Sequence, residues 1–136
     1  DEVFNAVTHG LGVLLASVGT VFLCLEVRGQ RTRNKLAVIL YSVALHTLYL
    51  ASTLFHSFHA LGPKVVRVFG TLDHCAIYVL IAGCYCPFLL VLFPGDRGSQ
   101  YLLASLWATA FAGTAVSIFF HGAGATVLHL VLYLGM

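Results

Sequence analysis

The chain has 136 residues, of which 60% are hydrophobic and only 9% charged, with a formal net charge of +2. Soluble domains carry about 25% charged residues, so this composition excludes an ordinary water-soluble globule and predicts an integral, multi-pass membrane protein. The Lys and Arg residues are few and sit in short connectors, which excludes a nucleic-acid interface.

Four long apolar segments follow in order, over residues 6–27, 36–58, 72–93 and 101–120. Each is long enough, at about 1.5 Å per residue, to cross a hydrocarbon core of about 30 Å. A fifth, 123–136, reaches only about 21 Å and reads as a helix cut short. The expected fold is all-α: a polytopic transmembrane helix bundle, one domain over 1–136, incomplete at its C-terminal end. The acidic start and the long first run argue for a true membrane helix in a piece of a longer protein, not a secretory signal.

The connectors carry turn chemistry: Arg28-Gly29-Gln30, Leu61-Gly62-Pro63-Lys64 and Pro94-Gly95-Asp96-Arg97-Gly98. Their shortness makes neighbouring helices antiparallel. Small residues at helical spacing predict two close-packing faces, Gly12/Ala16/Gly19 on the first helix and Ser105/Thr109/Gly113/Ser117 on the fourth. Pro87 deletes one backbone hydrogen bond of the third helix, which predicts a kink near Gly83. Cys24, Cys75, Cys84 and Cys86 follow no metal-finger or disulfide spacing and read as packing residues.

The polar residues are placed unevenly. Ser42, His46, Tyr49, Thr53 and His56 recur at steps of four and three on the second helix, within an arc of about 80°. Such a stripe should turn inward, because lipid cannot satisfy it. Glu2, Asn5 and His9 share an arc of about 60° on the first helix. Ser52 and His56 close the second apolar segment, and Asp73 opens the third. Helix alternation therefore gathers all six on one membrane face. Ionisable groups at membrane depth are costly and usually functional. Capping is the competing account for Glu2, Asn5 and Asp73, and interhelical hydrogen bonding is the competing account for His56. His46, His59, His74, His121 and His129 have no comparable partners in sequence and read as structural or interfacial.

Taken together, Glu2-x2-Asn5-x3-His9, Ser52-x3-His56, Asp73-x2-Ala76-Ile77 and Ala82-Gly83-x-Tyr85-x-Pro87-Phe88 resemble the ordered motifs of the haemolysin III and progestin/adipoQ receptor (PAQR) family, over essentially the whole chain. The resemblance implies seven helices and a Zn2+ ion held by three histidines. His56 matches one ligand. The other two are expected beyond residue 136, on a His-x3-His motif of a seventh helix. Asp73 matches the aspartate that holds the water, Ser52 the motif serine beside the ligand, and Glu2, Asn5 and His9 a supporting motif. Cys84 and Cys86 stand where relatives often carry Thr, a departure that concerns packing.

The function so implied is a zinc-dependent membrane protein hydrolysing ceramide-like lipid amides, with Asp73 and Ser52 in the catalytic set. A site of three protein ligands with an open fourth position suits such chemistry. Membrane lipids and a lipid amide substrate or lipid-like ligand are the expected partners, and a homo-oligomer is left open. The alternatives are a signalling receptor with a structural zinc and, from the family's bacterial name, a pore-forming haemolysin. Basic residues concentrate in the first connector, and positive-inside counting would make that connector cytoplasmic. The resemblance implies the reverse, with Glu2, His56 and Asp73 on the cytoplasmic side, and that orientation is adopted.

Overall fold

The computed structural model describes residues 1–120 and 123–136, with side chains from 127 onward in the second stretch. The described residues form five α-helices and no strand: α1 (Glu2–Glu26), α2 (Thr32–Ser57), α3 (Pro63–Pro87), α4 (Arg97–Phe119) and α5 (Ala123–Gly135). Four helical stretches, Glu2–Glu26, Thr32–Ser57, Pro63–Leu92 and Arg97–Phe119, are long and apolar enough to cross a membrane. α5 has 13 residues. His121, expected to be structural or interfacial, lies outside the described residues.

The helices begin earlier than the apolar runs because turn chemistry, not hydrophobicity, sets their starts. Gly62 takes φ 109°, a left-handed conformation that a side chain would strain, and Pro63 follows at the first helical position. Asp96 caps α4 by accepting from the Ser99 backbone N–H at 2.7 Å. Asp73 consequently lies ten residues inside α3, about 15 Å along it. The expectation that it opens or caps the third helix is corrected.

Packing is sequential. α2 lies between α1 and α3, α3 packs on α4, and α4 on α5. Tyr78, Ala82, Leu89, Leu106 and Ala110 form the core between α3 and α4. Large apolar side chains such as Leu15, Phe22, Phe111 and Phe119 stay exposed on the outer faces, as helices surrounded by lipid require.

The two small-residue faces are only partly as expected. Gly12 and Ala16 are buried on α1, but Gly19 faces open space. On α4 the buried face is Leu106, Ala110, Gly113 and Ser117, so the stripe turns away at Ser105. α4 presents Leu106 and Ala110 to the core because they fill the space beside Tyr78. At Pro87 the backbone leaves regular α geometry on the C-terminal side, in a π-helical turn over Phe88–Leu92. Gly83 instead allows contact with Ala44 of α2. Of the cysteines, Cys86 is fully buried, while Cys24 is exposed at the end of α1.

Candidate functional site

The polar stripe of α2 faces α1. His46 Nδ1–H donates to the Ser42 carbonyl at 2.7 Å, and its Nε2 lies 3.1 Å from the Ser17 hydroxyl, which itself donates to the Val13 carbonyl at 2.8 Å. The Tyr49 ring covers Gly12, and Thr53 lies against Gly10. At the end of the stripe His56 meets Glu2. Both glycines on α1 permit the close approach that brings its first turn alongside the last turn of α2.

His56 Nδ1 and Glu2 Oε2 are 2.5 Å apart, a short contact between residues 54 positions apart in the chain. The His56 side chain is 15% exposed and that of Glu2 43%. Glu2 thus spends its carboxylate on the histidine of α2, although it stands in the first turn of α1. Asp1 occupies the capping position there and makes no side-chain cap bond. The capping account of Glu2 is replaced by an interhelical one. With Nδ1 engaged, Nε2 of His56 is the ring nitrogen left for a ligand.

His9 stands edge-on to His56, with ring centroids 5.5 Å apart, and edge-on to Tyr49 at 6.1 Å. Its Nδ1 is buried and has no hydrogen-bond partner among the described residues. Asn5 is half-buried; its backbone carbonyl accepts from the Thr8 hydroxyl. Ser52 is buried, 3% exposed, one turn before His56.

Asp73 is half-buried on α3. Gly70 stands against Phe55, and Gly83 against Leu40, Tyr41 and Ala44. That antiparallel register puts Asp73 level with Ser52, one turn deeper than His56. Among the described residues no ion pair joins Asp73 to His56. Glu2, His9 and His56 are therefore brought into one cluster, with Ser52 one turn before His56, while Asp73 lies level with Ser52 and, among the described residues, makes no hydrogen bond or ion pair to the cluster. No three His, Cys, Asp or Glu side chains among the described residues converge as a metal site.

The donor set nevertheless fits a share in a zinc site. Metal-ligating histidines commonly donate their second ring N–H to a carboxylate, which fixes the tautomer and the ring orientation. Glu2 and His56 have that relationship. His9 adds a buried nitrogen atom without a partner 5.5 Å away, ring to ring.

A second polar cluster had not been anticipated. Tyr78 lies within 2.7 Å of His129 Nδ1, the Tyr78 and Tyr133 rings are 4.4 Å apart, and the His74 and His129 rings 6.0 Å apart. His129 is therefore a structural histidine with an interhelical partner that its own segment does not show. The signal was present: His74-x3-Tyr78 on α3 and His129-x3-Tyr133 on α5 repeat one pattern on two helices. Two-helix matching would have found it, whereas a search for partners within one segment could not.

An apolar groove of about 530 Å³ runs along α1 and α2, lined by Leu15, Ala16, Gly19, Tyr41, Leu45 and Tyr49 among others. Tyr49 joins the groove to the histidine cluster through its contact with His9.

Comparison with known proteins gives this arrangement its context. The sequence model of the haemolysin-III-related family matches residues 1–136. The chain is 43% identical over 121 residues to "Hemolysin-3" of Bacillus cereus, covering 88% of this chain and 54% of that protein. It is 40% identical over 121 residues to "Hemolysin-3 homolog" of Bacillus subtilis (strain 168), covering 88% of this chain and 55% of that one. The chain thus spans about half the length of the curated relatives it matches. No solved structure matches it. The chain belongs to the haemolysin-III-related family, which is the family of the PAQR proteins, and is a multi-pass integral membrane protein.

Proposed function

We propose that this chain carries part of the site of a zinc-dependent membrane hydrolase acting on lipid amides of the ceramide type. The observation that carries the reading is the 2.5 Å contact between Glu2 and His56 Nδ1, which leaves Nε2 as the ligand atom. When bound, zinc supplies Lewis acidity toward a carbonyl oxygen. Glu2 holds the His56 tautomer and ring plane. Asp73, level with Ser52 and free of an ion pair to His56, is the carboxylate placed to accept a proton from an attacking water. The groove that ends at Tyr49 suits an acyl chain, with the polar end of the lipid directed to His9 and His56. His56 is one metal ligand, too few for a closed tetrahedral site, so residues beyond this chain complete the set.

Metal content and turnover of a long-chain ceramide-like amide, measured on the longer protein, test this. His56→Ala should lose both zinc and turnover. Asp73→Asn should keep zinc and lower turnover by about 10²–10⁴-fold, the range for a positioned acid–base group. Wild-type protein with no turnover on any lipid amide, and ligand-dependent signalling that survives Asp73→Asn, would replace the hydrolase with a receptor carrying a structural zinc.

A further inference from the structure

At the opposite membrane surface from the Glu2–His56 pair, α1 and α2 flank a second groove, of about 230 Å³, lined by Cys24, Val27, Arg28, Lys35, Val38 and Ile39. Both sides of the groove contribute. Cys24 ends α1's share, and Val27 and Arg28 follow it just past the helix, while positions 35, 38 and 39 on α2 follow the i, i+3, i+4 spacing of one helical face. Each side carries its basic residue at the surface end: Arg28 just past α1, Lys35 in the first turn of α2. The aliphatic residues lie deeper, with Ile39 half-exposed to the surroundings at 53%. The groove is therefore cationic at its rim and apolar along its floor.

The rim is held in place. The Gln30 side chain donates to the Glu26 carbonyl at 3.3 Å, and the Asn34 side chain donates to Gln30 at 2.7 Å. The Asn34 and Lys35 backbone N–H groups both donate to the Arg31 carbonyl. Among the described residues neither Arg28 nor Lys35 has a carboxylate within ion-pair distance. Arg31 is exposed, and Arg33 lines a different groove with Leu89, Phe93 and Ser99, so neither belongs to this rim.

We infer that this groove is a binding site for one anionic phospholipid, its phosphate held between Arg28 and Lys35 and an acyl chain lying along Val38 and Ile39. Charge complementarity selects the occupant. Guanidinium binds phosphate in a two-pronged fashion and ammonium binds it as a point charge, while the apolar floor demands a chain on the same molecule. A free phosphate satisfies only the rim, and a zwitterionic lipid adds its own cation to a site that already holds two.

The test is native mass spectrometry of the whole chain in detergent, titrated with phosphatidylglycerol or phosphatidylcholine. The expected result is retention of one phosphatidylglycerol in preference to phosphatidylcholine. Each basic residue near an anionic headgroup contributes about 5-fold in affinity, so Arg28→Gln/Lys35→Gln should weaken retention by about 30-fold. Arg31→Gln should change it by less than about 2-fold. Ile39→Trp, which fills the floor and leaves both charges, should also weaken it, while circular dichroism remains that of the wild type. Three results would overturn the site: equal retention of phosphatidylcholine, unchanged retention in the double variant, or an equal loss in Arg31→Gln. The last would mean that the connector charges act only as a diffuse cationic surface.

Discussion

Gly12 and Gly19 lie on one face of α1, seven residues apart, and are interchangeable by spacing. The structure separates them. A Cβ on Gly12 would collide with the Tyr49 ring, whereas a Cβ on Gly19 meets nothing within 4 Å. The paired variants Gly12→Ala and Gly19→Ala both gain the same helix propensity, about 1 kcal/mol, so that gain cancels in the comparison. What remains is the overpacking cost at Gly12, about 1–3 kcal/mol when the neighbour is a ring held in place. Gly12→Ala should therefore be less stable than Gly19→Ala by about 1–3 kcal/mol, or about 5- to 150-fold in the unfolding equilibrium. Reversible unfolding in mixed sodium dodecyl sulfate and dodecylmaltoside micelles measures the difference. Tyr49→Ala in the Gly12→Ala background should remove most of the collision. Equal stability of the two single variants would refute the close α1–α2 contact and, with it, the geometry that lets Glu2 reach His56.

Three further outcomes are expected. Glu2→Ala in the longer protein should lower zinc affinity about 10–100-fold, the usual effect of losing a carboxylate behind a ligating histidine; isothermal titration showing unchanged affinity would remove Glu2 from the site. Asp96 lies below the ordinary aspartate value of 3.8, because the Ser99 backbone N–H and then the Ser99 hydroxyl stabilise its charged form. Its contribution to the α4 start is therefore present above that value and lost as the pH falls through the lower folded value; amide exchange at Ser99 should rise in that acidic window, and Asp96→Asn should abolish the pH dependence. A cysteine placed at the exposed Ala60 in a cysteine-free background should be labelled only from the cytoplasmic side, and labelling only from outside would invert the topology proposed for Glu2, His56 and Asp73.

Much of this molecule is legible in one dimension. Apolar runs of membrane-crossing length, turn residues between them and the polar stripe from Ser42 to His56 are properties of single segments. A 3.6-residue period reports which face of a helix turns inward wherever that face ends up. The ordered motifs at Glu2, His56 and Asp73 identified the family for the same reason, since motif order survives without any knowledge of distance. Helix ends were harder to read. Pro63 and Asp96 start α3 and α4 well before the hydrophobic runs, because capping and backbone conformation act outside the apolar pattern. Asp73 therefore sits inside a helix and not at its mouth.

The separation of like from like belongs to tertiary structure. Gly12 faces a tyrosine and Gly19 faces open space because a neighbouring helix lies against only part of α1. Glu2 bonds His56, while Asp73, on the same membrane face, does not, because membrane face is set by alternation and contact is set by register between helices. His74 and Tyr78 meet His129 and Tyr133 across the α3–α5 interface, a pairing that depends on two helices starting from the same surface. Local sequence specifies what each helix presents; only the packing of one helix on another decides which groups come within a hydrogen bond.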